Sequence, residues 1–262
     1  MLAESSPSTL IAVTRPVSPT LAGCELTHLA REPIDVARAT SQHAAYEDLL
    51  ASLGATLVRV PPAPELPDAV FVEDTAIVLE EAAVITRPGA PTRQAEPPAV
   101  ASVLARYRRL LTMTPPATLD GGDVLQIGRT LYTGKSGRTN REGIEQLQRL
   151  VAPFEYQVTP VEFTGCLHLK SAVTSVADGL LLLNPAWVTA ESFPSFEVLA
   201  IDPREPLAAN ALRVADTLVY PASFSRTRER LLQRGLAVAP VDCSELTKAE
   251  GAVTCCSLVF TA

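Results

Sequence analysis

Apolar and polar positions alternate in short bursts that recur along the chain. Residues 123–133 read DVLQIGRTLYT and residues 210–220 read NALRVADTLVY. In each, two alternating runs flank a G-R or A-D pair, the pattern of a β-hairpin. Residues 172–183 (AVTSVADGLLLL) repeat the shape with the V-A-D turn, and residues 68–86 (DAVFVEDTAIVLEEAAVIT) repeat it with a longer turn at 80–83. A fifth unit begins at Gly251 (GAVTCCSLVF), after which the chain ends. Its missing partner strand is found at the other end of the chain, in residues 9–14 (TLIAVT).

Between these units the period changes from two to 3.6. Residues 33–53 place Val36, Ala39, His43, Tyr46, Leu50 and Leu53 on one helical face, with Pro33 near the start and Gly54 after the end. Further helices are expected over residues 93–111, 139–151 and 223–235, and a weaker one over 186–200. Strand units alternating with helices at intervals of roughly 40–55 residues predict a repeat architecture. A half-unit at one terminus, completed by a strand from the other, favours a closed ring over one continuous sheet.

Composition narrows the function classes. The chain has 262 residues, 47% of them apolar and 19% charged, which predicts a folded chain with its own core and a single domain over 1–262. A net charge of −7 argues against nucleic acid and anionic membranes as partners. No apolar run reaches the ~18 residues of a membrane span, and residues 1–9 lack the basic and apolar parts of a signal peptide. A cytoplasmic protein is expected. The five cysteines, Cys24, Cys166, Cys243, Cys255 and Cys256, lack scaffold or C-x-x-C spacing and read as thiols. Adjacent Cys255 and Cys256 point apart in any regular element and should differ in environment.

Several chemistries are absent from the sequence. There is no phosphate-binding G-x-x-x-x-G-K-[ST] loop, no G-x-G-x-x-G, no G-x-S-x-G elbow and no H-E-x-x-H. In Asp120-Gly121-Gly122-Asp123 the two carboxylates would repel an anion. The three histidines, His28, His43 and His168, are too dispersed to form a metal site by themselves, and His43 falls on an apolar helix face. What remains is spread over the repeats: Asp68, Glu73 and Asp74 in one unit, Asp120 and Asp123 in the next, His168 in the third and Cys255 in the last. Equivalent positions of a ring converge on its axis. Acids there favour a cationic ligand, and cysteine with histidine favours nucleophilic chemistry. A guanidinium is a cation with an electrophilic carbon.

At these residues the chain resembles the dimethylarginine dimethylaminohydrolases of the guanidino-modifying pentein superfamily. The segments PDAVFVED (67–74), TRPGAPTR (86–93), ATLDGGDVL (117–125), RTN (138–140), LHLKS (167–171) and GAVTCCS (251–257) match in family order across nearly the whole chain. The resemblance implies a five-bladed, pseudo-symmetric α/β propeller. It implies Cys255 as nucleophile, with Cys256 a bystander, His168 as general acid and base, and Asp120 as the group orienting the histidine. Asp68 and Glu73, with Asp74 beside them, are implied to bind the substrate guanidinium, and Arg93 and Arg138 its α-carboxylate. Leu26 is implied in a lid loop, and Ala249 as a backbone acceptor. A small-molecule substrate (a methylated arginine) is implied, with no cofactor or metal, in a monomer or homodimer. Arginine deiminase chemistry and a non-catalytic methylarginine or arginine sensor are the alternatives.

Overall fold

The computed structural model describes residues 9–262; the N-terminal stretch read above for a signal peptide lies, but for residue 9, outside them. Fifteen strands form five three-stranded sheets. β1 (Leu10–Thr14) pairs in parallel with β2 (Thr56–Arg59). The next three sheets are β3 (Ala76–Val78), β4 (Ala82–Ile85) and β5 (Arg109–Thr112); β6 (Val124–Ile127), β7 (Thr130–Gly134) and β8 (Gln157–Val161); and β9 (Val173–Ala177), β10 (Leu180–Leu183) and β11 (Glu197–Ala200). The fifth is β12 (Leu212–Val214), β13 (Thr217–Pro221) and β14 (Ala237–Val241). In each, a hairpin's second strand takes a parallel third strand.

The first sheet follows the same plan with its hairpin cut open. β15 (Leu258–Thr261) lies antiparallel to β1, Leu10 opposite Thr261 and Val13 opposite Leu258. The N-terminal strand thus completes the last unit, as the repeats predicted.

Packing closes the ring. β10 sends Leu181 and Leu183 into one cluster with β6–β7 residues Leu125 and Tyr132, and Leu180 and Leu182 into the next with Leu218 and Tyr220 of β13. Period-two alternation thereby buries both faces of a sheet. Five such clusters join successive sheets, and the fifth joins Val214 and Val219 back to Ala12. The chain is a five-bladed α/β propeller.

Six helices occupy the periphery and the loops: α1 (Val36–Ser52), α2 (Pro97–Leu104), α3 (Arg141–Val151), α4 (Leu169–Ala172), α5 (Ser225–Gln233) and α6 (Ser244–Thr247). Asp35 caps α1 by accepting from Arg38 N, and Asn140 caps α3 by accepting from Gly143 N. Two expected helices are corrected. Residues 93–111 hold only the short α2 before turning into β5, and residues 186–200 hold a single 3₁₀ turn (Ala190–Ser192) before β11. Pro194 cannot supply the N–H that a continuing helix needs there. The third strands went unread because they are short, parallel and half-exposed.

Candidate active site

The chemistry-bearing residues sit in the turns just ahead of each sheet's first strand. Glu73 and Asp74 lie in a 3₁₀ turn (Val72–Thr75) before β3, where the sequence pattern had suggested strand. Gly121–Asp123 forms another before β6. His168 precedes α4, which leads into β9, and Cys255 lies in the turn before β15. One helical turn at this place aims side chains at the axis, whereas a strand would send them alternately into neighbouring blades.

Two glycines allow the close approach. A Cβ on Gly121 would stand 2.0 Å from Glu73 O, and one on Gly122 2.5 Å from His168 Nδ1 and 2.7 Å from Asp74 Oδ1. The Asp-Gly-Gly-Asp turn is therefore a bearing surface for His168 and the acidic turn.

His168 Nε2 lies 3.0 Å from Asp120 Oδ2, and Nδ1 lies 3.7 Å from Asp74 Oδ1. Asp120 is itself fixed, its Oδ1 accepting from Gly89 N at 2.8 Å. Burial alone would push the imidazole pKa down. Asp74, the Asp120 hydrogen bond and Asp123 outweigh it and raise His168 to about 9. The ring is thus held protonated at neutral pH. Burial would raise Asp74, but His168, Arg93 and the Gly122 N–H bring it down to about 2. Asp123, pushed up to about 6 by burial, accepts from Ser136, Thr139 and Leu169 N, tying the turn before β6 to the His168 loop.

A narrow cavity at the axis is lined by Asp68, Asp74, Arg93, Arg138, His168, Ala249 and Cys255, with Glu25, Phe71, Leu167, Glu250 and Gly251 between them. It joins seven of the residues singled out from the sequence. Asp120 stands behind His168. Glu73 lies behind the Cys255 backbone, its N–H donating to Cys255 O. Its carboxylate accepts from Lys170 Nζ at 2.6 Å and Thr254 Oγ1 at 2.9 Å. Leu26 does not line the cavity; it packs half-buried on the apolar cluster around Cys255, within the segment that crosses the site. That segment is clasped from below. Glu25 N donates to the Asp68 carboxylate, and Thr27, His28 and Leu29 N all donate to Glu250.

The two arginines differ. Arg93 is 4% exposed and pairs with Asp74 at 2.6 Å and Glu96 at 2.8 Å, while also donating to Asp68 O and Phe71 O. Arg138 makes no ion pair among the described residues; its Nη2 donates to Thr27 Oγ1 at 3.1 Å. The two cysteines differ as well. Cys255 lines the cavity, while Cys256 turns away and donates to Ala252 O. Burial, then Glu73 and Asp74, pushes the Cys255 thiol far above its ordinary value.

Asp74, Asp120 and His168 bring ligand atoms within 4.8 Å of one another, a donor group suited in number to a cation. Arg93 already neutralises Asp74 and His168 carries its proton, so the trio is better matched to holding that proton than to a metal. Lys170, Thr254, Glu96 and Glu250 escaped the sequence reading. Lys170 stood inside the LHLKS segment, and Glu96 three residues after Arg93 in the spacing of a helical ion pair; nothing local marked Thr254 or Glu250.

The family model for arginine deiminase matches residues 36–202. A dimethylarginine dimethylaminohydrolase of Streptomyces coelicolor is 41% identical over 96% of this chain and 97% of its own length. One of Pseudomonas aeruginosa is 33% identical over 91% and 94%. The structure of the Pseudomonas enzyme as a cysteine-to-serine mutant complexed with citrulline superposes with a TM-score of 0.92, at 31% identity, covering 96% of this chain and all of that one. With relatives of this identity over nearly its whole length and the same propeller fold, the chain belongs to the dimethylarginine dimethylaminohydrolase family of pentein hydrolases.

Proposed function

We propose that this chain, acting as a single catalytic unit, hydrolyses Nω-methylated arginines to citrulline and methylamine or dimethylamine. The observation that carries the reading is that His168 and Cys255 line one cavity together with Asp68, Asp74 and Arg138, the last making no ion pair among the described residues.

Each group then has one task. Asp68 and Asp74, with Glu73 behind the nucleophile, favour a guanidinium and keep it charged, which preserves its electrophilic carbon. Arg138 has donors to spare for the α-carboxylate, with the fork geometry that carboxylates accept. Arg93, spent on Asp74 and Glu96, chiefly holds Asp74 in place. Ala249 O faces the amino-acid end. In the unliganded site the Cys255 thiol keeps its proton, because burial first, and then Glu73 and Asp74, disfavour a thiolate there. A bound guanidinium reverses that balance, so the substrate promotes formation of its own nucleophile.

As the guanidinium binds, the thiol proton passes to solvent; the sulfur then attacks the guanidinium carbon, and the departing amine takes the proton from His168 as its C–N bond breaks. This leaves an S-alkylthiouronium on Cys255. Neutral His168 then takes a proton from water, which attacks the same carbon. The C–S bond breaks, the hydroxyl of the collapsing adduct gives its proton to the sulfur, citrulline leaves and the thiol is restored.

The match to the arginine deiminase model favours a second reading, release of ammonia from unmethylated arginine by the same steps. Incubation with arginine, monomethylarginine and asymmetric dimethylarginine, with citrulline and each amine quantified, separates the two. Citrulline with stoichiometric methylamines is expected. Citrulline and ammonia from arginine alone would overturn the methylarginine reading, and absence of all products would leave a binding protein.

A further inference from the structure

Four of the five sheets bring chemistry to the axis in the turn before their first strand. The fifth, β12–β14, brings Asn210, and that side chain is spent on scaffolding. Its Nδ2 donates to Lys170 O and Thr254 Oγ1, both at 3.0 Å, and its Oδ1 accepts from Thr254 N at 3.1 Å. Beside this sector lies a second cavity of about 200 Å³. Its walls are mainly apolar: Trp187, Leu207, Pro221, Phe224 and the backbone of Gly251 and Ala252. Leu167, Glu250 and Gly251 line both this cavity and the catalytic one. Glu250 adds little free charge to it, because its carboxylate is taken up by three backbone N–H groups of the crossing segment.

The position of this cavity matters more than its size. It lies between the loop of His168, through Gly165–Leu167 and Ser171, and the loop of Cys255, through Gly251 and Ala252. Those are the two residues that act on the bond that breaks. The catalytic cavity is also lined by Asp68 and by Asp74, 3.7 Å from His168 Nδ1, and against either an alkyl group would desolvate a carboxylate without repaying it. Leu167 and Gly251, shared by both cavities, give the substituent on the departing nitrogen an apolar direction toward the second one.

We propose that this second cavity is a subsite for alkyl groups on the departing nitrogen, and that it accepts Nω-alkyl arginines with chains longer than methyl, up to about butyl. The inference rests on the proposed function and extends it to a substrate class. Tight contacts give the subsite fixed walls. A Cβ on Gly165 would stand 2.5 Å from the Trp187 ring, and one on Gly251 2.2 Å from Phe71. Leu207 is half-buried on the far wall and takes no part in the catalytic contacts, so it is the position at which to change the volume.

The experiment measures kcat/KM for Nω-methyl, ethyl, propyl and butyl arginine with the unaltered protein and with Leu207→Trp, Leu207→Phe and Leu207→Ala. In the unaltered protein kcat/KM should hold or rise along the series, by at most about fourfold per methylene, which corresponds to ~0.8 kcal/mol of burial. Leu207→Trp should lower butyl at least tenfold relative to methyl, Leu207→Phe should do so to a smaller degree, and Leu207→Ala should not lower butyl relative to methyl. Methyl turnover serves as the folding control, and Leu207→Phe carries the test if the tryptophan variant does not fold. A steep loss from ethyl onward in a protein that turns over methylarginine, or equal losses for all chains in the filled variants, would overturn the subsite alone. Failure of the unaltered protein on methylarginine would overturn the proposed function, and the subsite with it.

Discussion

The two ends of the propeller axis are built from the same five sheets and have little else in common. At the back, a cavity of about 810 Å³ is lined chiefly by first-strand residues such as Ile77, Val124, Gln126, Leu212 and Phe260. At the front, charged turns close the axis down to the narrow cavity holding Cys255 and His168. Lys170, Glu73 and Thr254 lie between, joined by hydrogen bonds, and line the floor of the back cavity. The back displays what the repeated strand pattern dictates in every blade. The front displays what was placed on each blade separately, in turns whose sequences have nothing in common. Symmetry accounts for the scaffold, and its breaking accounts for the chemistry.

Substitutions at the two ends should therefore differ by orders of magnitude. The largest effect is expected at Cys255, the nucleophile of the proposed mechanism: Cys255→Ser should abolish steady-state citrulline formation, while Cys256→Ser retains most of it. The reverse result would mean that the cavity-facing thiol is not the one that reacts.

His168→Ala comes next, with kcat falling ~10²–10⁴-fold while substrate affinity changes little. A substrate with a better leaving group, such as S-methylthiocitrulline, should lose less of its rate than dimethylarginine. Equal losses for both, together with slower labelling of Cys255 by a thiol reagent, would move His168 from acid to activator of the thiol. The same residue predicts a pH dependence. Its pKa is raised on folding from 6.5 to about 9, so its contribution to stability is complete below about pH 6.5 and fades as pH rises through 9. In kcat/KM the acid role should give an alkaline limb near pH 9, and Asp74→Asn should move that limb to lower pH.

The partition between the ends is tested by Lys170→Met. It leaves buried Glu73 without its cation, and loss of ~3–5 kcal/mol in denaturant unfolding is expected. The double variant Lys170→Met/Glu73→Gln should recover much of that loss; no recovery would mean that the lysine stabilises through packing alone.

Arg138→Ala should cost on the order of 2–4 kcal/mol in kcat/KM for amino-acid substrates and much less for a guanidine lacking the carboxylate. Equal losses for both would place Arg138 outside the carboxylate site. The smallest effect belongs to the back. Gln126→Ala, on the exposed rim of the wide cavity, should change stability by less than ~0.5 kcal/mol and leave turnover intact. A large kinetic effect there would show that the two ends are not functionally separate.

The hairpins were legible because both their faces are buried, so residues such as 180–183 read as unbroken leucine between turn signals. Helices α1, α3 and α5 were legible from their apolar period and, for α1 and α5, the glycines that follow. The outer strands β5 and β11 were absorbed into expected helices. Four residues with exposed ends carry too little pattern to compete with their surroundings. Asp68, Asp74, Asp120, His168 and Cys255 could be named from the sequence because they occupy corresponding places in a repeat. The segments of the family resemblance added Arg93, Arg138 and Ala249.

What the sequence determined by itself was periodicity and residue type: which stretches alternate, where turns fall, and which acids, histidine and cysteine stand ahead of a strand. Tertiary structure alone decided how those groups divide their bonds. Arg93 and Arg138 look alike in the sequence, yet one is saturated by Asp74 and Glu96 and the other is left with donors to spare. Glu250, nearest to Cys255 in sequence among the acids, spends its charge on a segment more than two hundred residues away. Charge pairing and desolvation depend on distances through space, which local pattern does not encode. Only the closed ring sets those distances, and with them the pKa values of His168 and Cys255.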